Sequence, residues 1–487
     1  MKTAERMPVV MWQYILLLCF MIIGGCLLFS ESKWAIPFLF GLPAIGATIY
    51  LLLFNKELLI ILCFFLVPLS MGVNIGWGIQ VGFPAELIVV VMAGLFFLLY
   101  LKKWPVIDVN VLLHPLTILI LTDLLWLYIA TIFSAIPEVS FKRILLKTAF
   151  VLFFYFFIIH WFRFRNKLAY PLIFYGIGLV PVILLTLNKH ASYDFTHKVA
   201  FNIPQPFYVD HTIYGACLAF ILPILVILFF RYRKFGLNKI NRLLAGGGML
   251  LFAGATFYSF SRASLLSLVV VAGFFILLKL GLRMRGLLIL MAVTLVLAIS
   301  AVYFLPGVIF QGEAVSNRGS IKQHFQSMTN LQTDASNLER INRWVCAIDM
   351  FKDRPITGFG PGTYQFEYGN YQTYERLTYI STFAGDRGNA HSEYLTYLAE
   401  AGLPGFIIFL LLVCITISTG IKVTFGNHKE PLRLIGLGVL LGLTTFFFHG
   451  LLNAFWEQEK MAALVYPAMA CLVAIDVFNR GEKPTAH

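Results

Sequence analysis

The sequence predicts an all-α polytopic membrane protein with about 12–14 transmembrane helices and one large periplasmic loop. The first observation is composition: of 487 residues, 59% are hydrophobic and 13% are charged, whereas soluble proteins carry about 25% charged residues. The second is that apolar runs of about 20 residues recur in series, each long enough to cross a bilayer. The third is a single long polar stretch, residues 307–390, which interrupts this series.

The apolar runs give about 14 candidate spans by length and lack of charge. The first run follows Lys2 and Arg6 without a convincing small-residue cleavage site, so we interpret it as an uncleaved span. The candidate spans cover residues 11–30, 34–54, 57–75, 84–101, 112–133, 141–162, 168–187, 211–230, 242–260, 263–280, 286–305, 404–421, 432–451 and 461–478.

The distribution of lysine and arginine predicts the orientation, because cytoplasmic loops are enriched in both residues. Alternate short loops are basic, and both ends of the chain fall on the basic side. We therefore expect an inner-membrane protein with cytoplasmic termini and with its large loop in the periplasm. Three regions follow: N-terminal spans in residues 1–306, the large loop in 307–390, and C-terminal spans in 391–487.

Charge and motifs exclude several classes of protein. The net charge of +13 is best explained by basic loops that contact anionic membrane lipids, so we expect no nucleic-acid partner. The chain has no Walker A motif, no HExxH, no GxSxG with triad partners and no CxxC pair. This argues against an ATPase, a zinc protease or a serine hydrolase, and we expect neither a metal nor a cofactor.

A Ser-Arg turn between two spans is the first candidate site. Ser261 and Arg262 lie where the outer ends of the spans should meet. A guanidinium can bind a phosphate through two hydrogen bonds, and the N–H groups of a helix that starts there also attract an anion. The alternative is an arginine that only anchors the end of a span in the lipid interface.

The segment that leaves the large loop is the second candidate. His391 could act as a general base, because the ordinary pKa of histidine is near neutrality. Glu400 lies nine residues later, about half a turn out of phase in a helix, so we do not expect it to contact His391 directly. Gly402 and Gly405 follow. The alternatives are a structural histidine and a glutamate that stabilises the turn.

Further polar residues fall on the same predicted side of the membrane. Arg340 and Arg343 would share one face of a helix, and a glycine-rich turn, residues 358–362, could expose backbone amides to an anion. Two cations at an outward-facing span end are unusual and suggest a bound anion, although anchoring in the interface explains them equally well. The remaining candidates for substrate binding are Lys142, Arg143, His211 and Tyr214.

These pieces, in this order, resemble the O-antigen ligase/polymerase superfamily. The exit motif of that family, His-(Ser/Asn)-x-x-Leu-x-x-x-x-Glu-x-Gly-x-x-Gly, corresponds here to the segment 391–405, and the Ser-Arg turn precedes it. The stretch 343–360 resembles the family's loop pattern before that motif. The resemblance covers residues 205–460 by motif, whereas the earlier spans resemble the family only in hydropathy.

The resemblance implies a metal-independent glycosyltransferase that moves a glycan from an undecaprenyl-pyrophosphate carrier to an acceptor outside the membrane. It implies that Arg262, with the other arginines, stabilises the leaving pyrophosphate and that His391 takes the acceptor proton. The acceptor would be the lipid A core in a ligase, another carrier-linked unit in a polymerase, or a protein serine in other relatives. Two alternatives of a different class remain: a transporter of lipid-linked glycan and a non-catalytic scaffold.

Overall fold

The computed structural model describes residues 46, 50–51, 55–74, 80–101, 107–163, 167–281, 286, 335–374, 377, 381 and 388–478. Among these residues, nine helices are long and apolar enough to cross a membrane. The prediction of an all-α polytopic membrane protein is therefore confirmed. The predicted span 11–30, almost all of the spans 34–54 and 286–305, and residues 307–334 of the large loop lie outside the described residues.

Twelve longer helices are described and are numbered here in chain order. They are α1 Lys56–Leu66, α2 Ala85–Leu101, α3 Pro115–Ile132, α4 Pro137–Phe150, α5 Tyr170–Ala191, α6 His211–Arg231, α7 Lys239–Tyr258, α8 Arg262–Lys279, α9 Ala335–Asp353, α10 Glu393–Phe425, α11 Glu430–His449 and α12 Glu459–Phe478. Helix α4 continues through a π-helical stretch, Val151–Phe157, into Ile158–Arg163. Short helical turns are Val109–Leu112, His197–Val199, Tyr232–Phe235, Tyr364–Glu367 and Tyr368–Tyr371.

The third predicted span, residues 57–75, is wrong in its second half. Helix α1 ends at Leu66, and the chain then forms an antiparallel hairpin of β1 Met71–Asn74 and β2 Gln80–Phe83. Pro68 stands two residues after the end of the helix. Because proline has no N–H group to donate to the carbonyl four residues earlier, the helical hydrogen bonds stop there, where hydropathy alone would continue the helix.

Helix α12 forms the centre of the bundle. In its apolar window, 89% of the residues are buried, a larger share than in any other described span. Residues 461–475 are almost entirely inaccessible to solvent. The π-helical stretch of α4 packs against α12 with the buried aromatic rings of Phe153, Phe154 and Tyr155.

The large loop carries its own helix, α9, which packs on the first turns of α10. Helix α10 begins at Glu393, well before the predicted start of the span at 404. Ser392 caps it by accepting a hydrogen bond from the backbone N–H of Leu395. The loop and the last spans are thus joined directly at the candidate exit motif.

Candidate functional site

His391 lies in a strained backbone conformation at the end of the large loop. Its φ is +48°, a left-handed conformation that costs a residue with a side chain about 1–2 kcal/mol. Two neighbouring hydrogen bonds hold it there: His391 N donates to the side-chain oxygen Asn389 Oδ1 at 2.9 Å, and Glu393 N donates to Gly450 O at 2.8 Å. Strain of this kind is frequent at functional sites. It makes His391 a candidate on geometry as well as on motif.

The Ser-Arg turn also follows a residue with a strained, left-handed backbone. Phe260, which precedes it, has a φ of +53°. Ser261 caps α8, and its hydroxyl accepts a hydrogen bond from Ser264 Oγ at 2.7 Å. Ser264 Oγ also lies 3.2 Å from His449 Nε2 at the end of α11. A Cβ on Gly215 of α6 would lie 2.6 Å from Ser264 Oγ, so only glycine lets α6 approach the turn this closely. Arg262 is therefore held at the meeting point of α6, α8 and α11.

Arg340 connects the two motifs. Its charge acts on His391, on His449 and on His211, the first residue of α6. Arg262 acts on the same His211. Two cations and three imidazoles thus share one end of the bundle, although they come from four helices and the loop exit.

The electrostatic environment keeps His391 neutral. Burial lowers the pKa of His391 well below its usual range, and the nearby charges of Arg340 and Arg343 lower it further. A neutral imidazole has a free lone pair at pH 7 and can accept a proton from a hydroxyl group.

Arg343 is held by contacts within the protein. Its Nε lies 2.9 Å from Glu339 Oε1 in a buried ion pair, and its Nη1 donates to Asn389 O at 3.2 Å. The guanidinium also stacks over the ring of Tyr368. These contacts fix the segment that carries His391, so we assign Arg343 a positioning role. Arg340, three residues earlier in α9, acts electrostatically on His391, His449 and His211.

Glu400 accepts hydrogen bonds from the glycine-rich turn. Its two carboxylate oxygens accept from Gly362 N at 2.8 Å and from Tyr364 N at 2.9 Å. The group bound by these two buried amides is therefore a side chain of the protein itself.

Gly402 breaks α10 directly after Glu400. Its φ is +66°, and a Cβ there would lie 2.1 Å from Ile356 O. The break frees backbone carbonyls, and the loop satisfies them: Phe359 N donates to Ala399 O at 3.0 Å and Gly360 N donates to Glu400 O at 2.8 Å. Trp126 of α3 satisfies a third carbonyl, since its Nε1 donates to Ala401 O at 2.8 Å. The glycine turn and the exit motif therefore form one interlocked unit.

Gly405 allows a close contact with α3. A Cβ on Gly405 would lie 3.0 Å from the indole of Trp126 and 2.4 Å from the Cβ of Ala401. The indole can therefore reach the carbonyl freed at the break only because residue 405 has no side chain. No local feature of the sequence singles out Trp126 as the partner of this motif.

Arg143 lines a separate cavity on the other side of the loop exit. Its Nε lies 3.0 Å from Glu457 Oε2. The cavity has a volume of about 200 Å³, and Gly388 and Asn389 form the wall that it shares with the His391 segment. Its charged lining residues are Arg143, Glu393, Glu400 and Glu457. Among the described residues of its lining, Arg143 is the one cation, and it is paired with Glu457, so this cavity is unsuited to a diphosphate.

The other residues predicted to bind substrate lie outside the cluster of arginines and histidines. Lys142 is exposed and acts electrostatically on Glu86 near the same acidic cavity. Tyr214 is buried in α6 and lines a small cavity with Thr186 and Ser259 instead of facing His391. The structure thus brings together Ser261, Arg262, His211, Arg340 and His391, whereas Lys142, Arg143 and Tyr214 lie apart from them.

Comparison with known proteins identifies a family that is similar to part of the chain. A search of curated proteins found no match. Residues 247–410 match the family described as O-antigen ligase. The matched region contains the Ser-Arg turn, α8, α9, His391 and the interlocked unit around Glu400 and Gly402. The match covers 164 of the 487 residues and supports a relationship of this part of the chain to the O-antigen ligase superfamily.

Proposed function

We propose that this protein is a membrane glycosyltransferase that moves a glycan from an undecaprenyl-pyrophosphate carrier to an acceptor hydroxyl. Within the superfamily we assign it as an O-antigen ligase with the lipid A core as acceptor. The observation that carries the proposal is that Arg262 and Arg340 both act on His211, and that Arg340 also acts on the neutral imidazole of His391, at one end of the bundle. A departing diphosphate and a hydroxyl nucleophile need these two kinds of group side by side.

The chemistry follows from this arrangement. The acceptor oxygen attacks the anomeric carbon of the glycan, and the bond from that carbon to the diphosphate oxygen breaks. The bonding electron pair leaves with the diphosphate, whose charge Arg262 and Arg340 stabilise. The acceptor proton passes to the imidazole of His391. No ATP is required, because the glycosyl diphosphate is already activated.

Donor binding also prepares the base. Burial and the charges of Arg340 and Arg343 lower the pKa of His391 in the free protein. A bound diphosphate brings negative charge beside these arginines and offsets their effect on the imidazole. The pKa of His391 therefore rises when the donor is present, and the ring becomes a stronger base only in the loaded enzyme.

The acidic cavity provides a place for a neutral sugar. Its carboxyl and amide groups can accept hydrogen bonds from sugar hydroxyl groups and donate hydrogen bonds to them. Among the described lining residues, the one cation that could attract a diphosphate is Arg143, which already pairs with Glu457. Because Gly388 and Asn389 line it, a sugar bound there would lie next to His391, two residues further along. We assign this cavity to the acceptor, and the arginine side to the donor.

Substitution of the two central residues tests the mechanism. We expect His391→Ala and Arg262→Ala to abolish glycan transfer at normal expression and folding. Arg262→Lys should restore transfer only in part, because an ammonium group lacks the two-pronged geometry of guanidinium. The control is Lys352→Gln, an exposed residue of α9 that pairs with Asp349. Normal surface glycan in both alanine variants would refute the mechanism.

A deletion strain tests the acceptor. If the protein is a ligase, glycan gels of the deletion strain should show lipid A core with no repeat unit attached. A single repeat unit on the core would instead identify a polymerase. Normal lipopolysaccharide with loss of a glycosylated protein would identify a protein glycosyltransferase. Movement of lipid-linked glycan across vesicles without covalent transfer would indicate a transporter.

A further inference from the structure

A second cavity lies at the opposite end of the same helices. It has a volume of about 250 Å³ and lies between the last residues of α6, α8 and α10 and the first turns of α11. The candidate site lies at the first residues of α6, α8 and α10 and at the last residue of α11. Since α6 has 21 residues, the two sites are about 30 Å apart along the bundle. This is close to the thickness of the hydrocarbon core of a membrane.

The cavity has an excess of positive charge. Among the described residues, three cations line it, Arg231, Lys279 and Arg433, together with one carboxylate, Glu430. Glu430 is already engaged: Arg231 hydrogen-bonds to it, and Lys234 Nζ lies 2.6 Å from its Oε2. Among the described residues, no carboxylate pairs with Lys279 or Arg433. Two exposed cations therefore face the cavity without a counter-charge.

The same cavity has an apolar wall. Phe275 and Leu278 of α8, Phe425 of α10, and Leu434 and Leu437 of α11 line it. Arg433 is tied to the end of α10, because its Nε donates to Thr424 O at 2.9 Å. A small water-soluble anion would make no favourable contact with this apolar wall. A molecule with an anionic head and a hydrocarbon tail matches both parts.

We propose that this cavity binds the phosphate headgroup of an anionic phospholipid, with Lys279 and Arg433 as its ligands and an acyl chain along the apolar wall. Basic pockets between helix ends on the cytoplasmic side are a known type of site for such headgroups. The site stands independently of the proposed transferase activity. If anionic lipid were attracted only by the general charge of basic loops, every cation at this end of the bundle would contribute equally to lipid binding. The test therefore compares cations of the cavity with cations outside it.

The test uses the full-length protein and two matched double variants. Lys279→Gln/Arg433→Gln removes the two cations that lack a counter-charge. Lys239→Gln/Arg242→Gln removes the same charge from the first turn of α7 at the same end, where Arg242 stacks on Phe229 and Tyr232. The single variant Lys279→Gln covers the case in which loss of the Arg433–Thr424 contact impairs folding.

The measurement is binding of phosphatidylglycerol and phosphatidylcholine to the detergent-purified protein by native mass spectrometry, with inorganic phosphate as a third probe. We expect retained phosphatidylglycerol on the wild type, at least tenfold weaker binding in the cavity variants, and unchanged binding in the α7 variant. Equal loss in both double variants would reduce the effect to general surface charge and overturn the proposal. Equal retention of phosphatidylcholine, or competition by inorganic phosphate at the same concentration as the lipid, would overturn it as well.

Discussion

Replacement of Gly402 by alanine should destabilise the protein strongly, although alanine usually stabilises a helix. Gly402 has a φ of +66°, and a left-handed backbone costs alanine about 1–2 kcal/mol. The added Cβ would also lie 2.1 Å from Ile356 O, so the neighbouring turn must move. That movement breaks the hydrogen bond from Leu403 N to Pro355 O, 2.8 Å in length, and disturbs the one from Gly360 N to Glu400 O. Each bond contributes about 0.5–1.5 kcal/mol.

The sum predicts a loss of about 2–5 kcal/mol in the free energy of unfolding. The assay is unfolding in mixed micelles, followed by helicity, with glycan transfer measured on the same preparations. The matched control is Gly273→Ala in α8, where an added Cβ meets no atom within 4 Å. The control should be neutral or gain about 0.5–1 kcal/mol. Equal unfolding free energies for the two variants would refute the account of the helix break.

Three further predictions concern the residues around this break. Burial and the charges of two neighbouring arginines lower the pKa of His391 in the folded protein. Near pH 6.5, His391 therefore takes up a proton only in the unfolded chain, and the free energy of unfolding should fall as the pH drops below about 6.5. His391→Gln should reduce this decline, and an unchanged pH profile of unfolding would contradict the buried environment. Trp126→Phe removes the 2.8 Å bond to Ala401 O and should cost about 1–3 kcal/mol; a cost near zero would mean that another donor replaces the indole. Glu457→Gln breaks the ion pair with Arg143. The side chain of Glu457 is 32% exposed and that of Arg143 is 31% exposed, so the free energy of unfolding should change by less than about 1 kcal/mol. In transfer assays with purified substrates it should raise the KM for the acceptor and leave the KM for the donor unchanged, and the opposite pattern would refute the assignment of the acidic cavity.

The membrane character of the fold could be predicted from the sequence, because each span must carry its own apolar length. The hairpin after α1 could not, since the run 57–75 has the hydropathy of a span and only Pro68 marks the end of the helix. The early start of α10 was also missed. Its first turns are packed under α9 and are too polar to resemble a span.

The candidate site was predictable in its motifs and not in its contacts. His391 and Arg262 stand in recognisable local patterns, so the sequence alone identifies them. Arg343 and Arg340 look equivalent in the sequence, yet Arg343 is held in a buried ion pair with Glu339, whereas the charge of Arg340 acts on three histidines. The left-handed backbone at His391 was not predicted, because one of the contacts that hold it, the hydrogen bond from Glu393 N to Gly450 O, comes from a part of the chain distant in sequence.

The helix break at Gly402 determines where a segment of this protein can be exchanged with that of a relative. The carbonyls of residues 399–401 bind the loop and α3, not the following turn of α10. Mechanically, the first nine residues of α10 therefore move with the loop. A chimera made with a relative should exchange 335–402 as one block, together with the residue at position 126. A junction at 390, where the polar stretch ends, would separate Glu400 from the amides of Gly362 and Tyr364 that it holds in place.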